Sequence, residues 1–387
     1  AQELPQLIER AWNVFTSQRP RPVHLAVPMD VLEQMCARFE KVDTEAHRPV
    51  PAASEIKRTA ELINAATNPI VIAGGGCVDA GAQLAKFAEA IDAPVVLTGN
   101  AKGVLSSTHP LCAGNCLVFG RVQRDIEAAD LVIVVGTELS DADLYNGGQA
   151  LQFGGNVIRI DIDEEQLARR TTPTVGLVGD AGETLSSLTA AIHTKTSTAG
   201  QDQAKAWREH ARAKTGAQFV PWLEAIEQTL PSDVIVALDS TQLAYSAHWW
   251  LPATQPRSWL APYGLGTLGC ALPMAIGAAV AAPTRPILAI VGDGGWLFTL
   301  SEMAVANDLQ QRLTLLLWDN TGYAQIRESF DDVDATRMGV DISSHDPTTI
   351  ARGFGWEAIE VTTPPQLKEA LSTAFASNAP RFIRVRL

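Results

Sequence analysis

Cysteine is scarce in this 387-residue chain, and what there is carries no pattern. Cys36, Cys77, Cys112, Cys116 and Cys270 include no CxxC pair and no Cys/His spacing of a zinc site. A disulfide framework is therefore not expected, and reduced thiols in a cytoplasmic protein are. Positive charge is also short. Thirty Lys and Arg stand against 43 Asp and Glu, a net charge of −13. Nucleic acid and anionic membrane are not the expected partners of so acidic a surface. A signal peptide is not expected, and no apolar run is long enough to span a bilayer. The longest candidate, "CALPMAIGAAVAA", suits a buried helix instead. Solenoid repeats are missing. His109, His248 and His345 are scattered without a Ser and Asp pattern, so a hydrolase triad has no support. Trp249, Trp250 and Trp318 read as core or interface residues.

What is present is alternation. Helix "SEIKRTAELINAA" leads to strand "PIVIAGGG", and helix "AGAQLAKFAEAI" to strand "PVVLTG"; the apolar runs "DLVIVVGTEL" and "VIRIDID" follow. Continuous apolar strands separated by helices mark a parallel sheet buried on both faces. The expected fold class is α/β, with two doubly wound parallel-sheet domains. A Rossmann-like central domain occupies residues 53–192. The polar stretch "HTKTSTAGQDQ" falls in a linker at 193–205, and a second domain fills 206–387, with strands "VIVALD", "ILAIVGD", "LTLLLWDN" and "RFIRVRL". Residues 1–35 read as a helix, a turn and a strand at Val23–Val27, followed by a linker at 36–52.

The chemistry-bearing stretch is "PILAIVGDGGWLFTLSEMAVANDLQQRLTLLLWDNTGY". Its strand, helix and strand form one crossover, which is right-handed almost without exception. If the strands are neighbours, Asp293 and Asn320 meet at the carboxyl edge of the sheet, where open α/β sheets bind ligands. A carboxylate, an amide oxygen and a backbone carbonyl suit Mg²⁺, which keeps few protein ligands and shares the rest with phosphate and water. Gly292, Gly294 and Gly295 let a phosphate reach backbone amides, and a helix starting near Thr299–Ser301 offers its N-terminus. An isolated Gly-Asp-Gly is more often a simple turn, and on this stretch alone both readings stand.

The whole stretch resembles the thiamine diphosphate motif of the acetolactate synthase and 2-oxo acid decarboxylase family. The family closes the motif with Asn-Asn; Asp319 stands at the first position here and Asn320 at the second. The resemblance implies Asp293, Asn320 and the Gly322 carbonyl as Mg²⁺ ligands. "YGLGTLGCALPMAIGAA" is similar to the family's cofactor segment, with Gly266 at the cofactor and Leu268 in the place of the apolar prop that bends it. "VALDSTQLAYSAHWW" resembles the turn that reaches the diphosphate, through Ser240, Thr241 and Gln242; Leu243 replaces the His that acetolactate synthases often carry. Tyr323 joins the cofactor-side residues Gly292, Gly294 and Gly295. "NPIVIAGGG", "AKGVLSSTHPLCAG" and "VGTELSDAD" look like the family's central domain. FAD, held by some members, is not expected, because "GGG" is read as a tight turn and "TELSDADLYN" replaces an Arg-rich stretch. "PVHLAVPMDV" resembles the end of the family's pyrimidine-binding domain, so about 150 residues of a typical member are expected to precede the chain. The activating glutamate belongs to that domain, and none of the acidic residues here is expected to take its role.

The implied activity is decarboxylation of a 2-oxo acid, with the cofactor as electron sink, possible carboligation afterwards, and a homodimer or homotetramer as the assembly. Gln325 and Ile326, on the helix after Tyr323, are candidate substrate-side residues. Asp331, Asp332 and Asp334 raise the idea of a cationic substrate tail such as that of 5-guanidino-2-oxopentanoate, although a solvated acidic loop is the commoner meaning of such a run. Rival readings are acetolactate synthase proper, a nucleotide-linked oxidoreductase on the central domain, and a cofactor-binding fragment without activity.

Overall fold

The computed structural model describes residues 1–38, 48–309, 312–342 and 345–387. Two six-stranded parallel sheets organise it. The first contains β1 (Pro69–Ala73), β2 (Val95–Leu97), β3 (Cys112–Gly114), β4 (Leu131–Val135), β5 (Asn156–Asp161) and β6 (Val175–Val178), in the order β3-β2-β1-β4-β5-β6. The second contains β7 (Ile235–Leu238), β8 (Trp259–Leu260), β9 (Ile287–Gly292), β10 (Leu313–Asp319), β11 (Glu357–Val361) and β12 (Arg381–Arg386), in the order β11-β12-β10-β9-β7-β8.

The central strands are apolar at almost every position because both faces are covered. Along β1, Val71 and Ala73 enter one core, while Ile70 and Ile72 enter the core on the opposite face. Along β10, Leu316 and Trp318 face one side and Leu315 and Leu317 the other. Each of these buried Val, Ile and Leu side chains contributes roughly 1.5–3 kcal/mol. The edge strand β11 is mostly exposed instead: Ala358 and Val361 enter the cores on opposite faces, and Glu357, Ile359 and Glu360 lie outside. The Ala53–Ala65 helix shows how a local signal starts an element. The Ala52 amide donates to Glu55 Oε2 at 2.9 Å, and Ile56, Ala60 and Ile63 form the buried stripe.

Two expectations are corrected. No strand forms at Val23–Val27, because a strand needs a ladder partner and none stands beside it among the described residues. The N-terminal segment instead presents a helix, Leu4–Ser17, and an ion pair from Arg19 to Glu138 at 2.9 Å. The linker at 193–205 is a linker only at its start. A helix runs from Ala199 to Ala213 and carries Ala204, Trp207 and Ala211 into the core of the first sheet. Trp207 is 1% exposed and donates through Nε1 to Asp125 at 2.8 Å. Its polar residues are good helix formers, and the buried Trp face holds it to the central domain. The turn after β9 becomes helical at once, Asp293–Trp296, and the next helix, Glu302–Asp308, starts from its cap at Ser301, within the span read from sequence. Much of the expected 36–52 linker lies outside the described residues.

Candidate functional site

Strand order in the second sheet reverses between β7 and β9, which is where an open parallel sheet leaves a crevice at its carboxyl edge. Parallel register sets Gly292 beside Trp318, so the residues that follow, Asp293 and Asp319-Asn320, leave adjacent strands together. Asp293 Oδ2 accepts the Gly322 amide at 2.7 Å. Asn320 Nδ2 donates to Gln242 Oε1 at 3.1 Å, which leaves Asn320 Oδ1 as its unspent group. Gly322 adopts φ +133°, and a Cβ there would meet the Val340 carbonyl oxygen at 2.5 Å, so only glycine permits this bend.

Asp293 is 2% exposed. Burial, aided by the nearby Asp319 charge, pushes its carboxyl up to about 6, against the pull of its hydrogen bond from Gly322. The neighbouring Asp319 is differently placed. Its Oδ2 receives Arg384 through Nε at 2.7 Å and Nη2 at 2.6 Å. Among the described residues, one buried carboxylate thus has its cation and the other has none. The Asp293 carboxylate, the Asn320 amide oxygen and the Gly322 carbonyl are all hard oxygen donors, the set Mg²⁺ takes when phosphate and water complete its shell. The residue that departs from the family's Asn-Asn is the one consumed by Arg384.

The anion side lies next to it. Asp239, which sequence reasoning missed, ties two loops together: Oδ1 accepts Ser240 N at 2.9 Å and Oδ2 accepts Gly269 N at 2.7 Å. Ser240 Oγ donates to Gly266 O at 3.0 Å. Thr241 caps the Gln242–Trp250 helix, whose first intrahelical donor is Tyr245 N, bonded to Thr241 O at 3.0 Å; the amides before it point out of the helix end. A Cβ on Gly294 would strike the Tyr323 ring at 2.5 Å, which packs Tyr323 onto the glycine turn. The structure therefore gathers Ser240, Thr241, Gln242, Gly266, Gly292, Asp293, Gly294, Gly295, Asn320, Gly322 and Tyr323 around one crevice, with half-buried Leu268 on the loop held by Gly269. Leu243 is fully buried in the core and takes no part in lining the crevice.

A cavity of about 880 Å³ opens beside it, between the two sheets. Ser240, Gly266 and Gln325 line one side, and Thr98, Asn115 and Asp143 of the central domain line the other. Trp249, read from sequence as core, stands in its wall, while Trp250 and Trp318 are core. Of the two substrate-side candidates, Gln325 reaches this cavity. Ile326 does not line it and is 50% exposed, because the next position on the Ala324–Asp332 helix turns away. The acidic loop is also elsewhere. Asp331 is paired with Arg337 through Nε at 2.7 Å, and Asp332 and Asp334 are exposed.

The two domains are latched at this wall. Lys102 Nζ donates to His248 O at 2.6 Å and Ala247 O at 3.2 Å, carbonyls at the end of the Gln242–Trp250 helix, and lies 3.7 Å from the Trp259 ring centre. Burial drives its ammonium well below the usual range. His248 Nδ1 accepts Trp259 Nε1 at 3.0 Å and stands 2.6 Å from the Tyr263 hydroxyl. Its pKa falls to about 3, from burial first and the Lys102 charge second.

Comparisons with known proteins agree with this geometry. Residues 56–188 match the thiamine pyrophosphate enzyme central domain, and residues 239–385 match the C-terminal thiamine pyrophosphate binding domain. The chain is 36% identical over 395 residues to a probable 2-ketoarginine decarboxylase of Pseudomonas aeruginosa, covering all of this chain and 70% of that protein. It is 29% identical to the large subunit of acetolactate synthase isozyme 1 of Escherichia coli, again over all of this chain and 70% of the other. In fold it resembles benzoylformate decarboxylase from Polynucleobacter necessarius, with a TM-score of 0.78 and 20% identity over 99% of this chain and 73% of that one. With both domains matched in order and a relative 36% identical over the whole of this chain, the chain belongs to the thiamine pyrophosphate enzyme family.

Proposed function

We propose that the protein is a decarboxylase of 2-oxo acids that works with thiamine diphosphate and Mg²⁺, and that 5-guanidino-2-oxopentanoate is its substrate. The observation that carries the cofactor reading is the buried, cation-free Asp293 facing Asn320 and Gly322 at the switch point. The substrate is supported by the likeness to the Pseudomonas protein. In this reading Asp293, Asn320 Oδ1 and the Gly322 carbonyl hold Mg²⁺. Ser240, Thr241 and Gln242 take the diphosphate with Gly294 and Gly295, Leu268 props the cofactor, and Tyr323 packs beside it. When bound, thiamine diphosphate supplies the electron sink for loss of CO₂. The chain's own residues orient the anion, neutralise it through the cation and keep the crevice poor in water.

A homodimer or homotetramer is part of the proposal. Leu265, 94% exposed, and Phe298, 63% exposed, lie close to the site and suit a second subunit's surface. A cytoplasmic setting is supported by five unpaired cysteines, and among the described residues no helix is long and apolar enough to cross a membrane.

The test is CO₂ release by the full-length gene product from 5-guanidino-2-oxopentanoate, with and without thiamine diphosphate and Mg²⁺. Release that needs both is expected. No release from any 2-oxo acid would defeat the proposal, and acetolactate formed from pyruvate alone would favour the synthase reading that the Escherichia coli relative suggests.

A further inference from the structure

A 2-oxo acid ending in a guanidinium needs two separate sites: one for its reacting end, and one for a planar cation several bonds away. The cavity between the sheets joins two such places. It reaches from Ser240 and Gly266, beside the cofactor loops, to Asn115 and Asp143 of the central domain. Two carboxylates line it. Asp239 is 2% exposed and has given both oxygens to backbone amides. Asp143 is half-buried. Its Oδ1 accepts Gly99 N at 2.9 Å and its Oδ2 accepts Ser140 Oγ at 2.7 Å. Both donors are neutral, and among the described residues no Lys or Arg pairs with it. The adjacent Asp141, by contrast, holds Arg170 at 2.8 Å.

Asn115 lines the same wall. Its Nδ2 donates to the Leu97 and Thr98 carbonyls, at 3.1 and 2.9 Å, which fixes the amide's orientation. Its Oδ1 is buried away from the cavity, so Asn115 shapes the wall and leaves Asp143 as the charged acceptor that faces it. Phe119 and Trp249, packed edge to face at 5.1 Å, and Tyr263 supply aromatic surface for a flat cation. The Tyr263 phenol is pushed up by burial, and the Asp143 charge pushes in the same direction.

We propose that this cavity is the subsite for the guanidinium end of the substrate, with Asp143 as its counter-charge. The proposal rests on the decarboxylase reading above and adds what selects the substrate. The commonest alternative use of Asp143, holding Gly99 and Ser140, is preserved in Asp143→Asn, whose amide can still accept one and donate to the other.

The experiment compares kcat/KM for 5-guanidino-2-oxopentanoate with that for 5-ureido-2-oxopentanoate, its neutral analogue of the same length. Asp143→Asn is expected to lower the guanidino value by about ten- to a hundred-fold, the worth of a charge-assisted hydrogen bond, and to leave the ureido value nearly unchanged. Asp143→Glu, which keeps the charge, is expected to retain a guanidino preference. Equal loss for both substrates, or an unchanged ratio in Asp143→Asn, would overturn the subsite. A measurement free of variants accompanies it: propylguanidinium should inhibit the wild-type enzyme competitively against the guanidino substrate, and propylurea should not. No inhibition by propylguanidinium would also overturn it. These failures are distinct from failure of the decarboxylase reading, which would show as no cofactor-dependent CO₂ from either substrate.

Discussion

At the switch point of the first sheet, between β1 and β4, the Gly74–Gly76 turn lies on Gly136. Gly76 N donates to Gly136 O at 3.0 Å, and a Cβ on Gly74 would stand 2.3 Å from that same oxygen. At the switch point of the second sheet, between β7 and β9, the Gly292–Gly295 turn carries Asp293, whose buried carboxylate has no cation of its own. Both are glycine turns at the carboxyl ends of apolar parallel strands. In the first, glycine serves close packing of backbone on backbone. In the second, it makes room around a side chain with unspent charge. Topology marks both crevices as candidate sites, and side-chain chemistry separates them.

The sharpest way to break that contrast is Asp293→Ala. Cofactor-dependent CO₂ release should fall by at least about a hundred-fold, since effects of even indirect ligand partners reach that range. The rise in melting temperature on adding Mg²⁺ and thiamine diphosphate should vanish with it. Retained activity would sink the metal assignment. Gly74→Ala tests the other turn. It should destabilise the fold by about 1–3 kcal/mol or more through overpacking, read as a lower denaturation midpoint, while the folded fraction keeps its cofactor affinity. Loss of cofactor affinity without loss of stability would reverse the roles given to the two turns.

The seam between the domains carries a pH dependence. His248 has its pKa lowered from about 6.5 to about 3 by burial. The unfolded chain therefore binds the extra proton over that window, and stability that is complete above pH 6.5 is lost as pH falls toward 3. Melting temperature measured from pH 7 to pH 4 should fall more steeply in the wild type than in His248→Gln. Parallel profiles would show that His248 titrates normally. The smallest effect is expected at Asp331→Asn. That residue is exposed and pairs only with Arg337, so neither stability nor the preference for a guanidino over a ureido substrate should change measurably. A lost preference there would move the cationic subsite from the cavity to the acidic loop.

Much of the architecture could be read directly. "PIVIA", "LVIVV", "ILAIVG" and "LTLLLWD" are strands because an unbroken apolar run of that length must be covered on both faces. Asp293 and Asn320 could be paired in advance because a right-handed crossover between neighbouring strands leaves little choice. Short or edge elements were less legible. The two-residue β8 and the mostly exposed β11 carry weak periodicity, and the polar helix at Ala199–Ala213 declares itself only through Trp207.

Sequence by itself thus determined the parallel sheets, the glycine turns and the oxygen donors of the crevice, because each depends on local pattern or on one crossover. Tertiary structure decided the rest. It placed Arg384 on Asp319 and left Asp293 without a cation, put Asp239 between the loops of Ser240 and Gly269, and set Asp143 across a cavity from Gly266. These partners lie tens to more than a hundred residues apart in the chain. No periodicity links them; the pairing of β10 with β12 brings Arg384 to Asp319, loop packing at the second sheet's edge brings Gly269 to Asp239, and the packing of one domain against the other sets Asp143 across from Gly266.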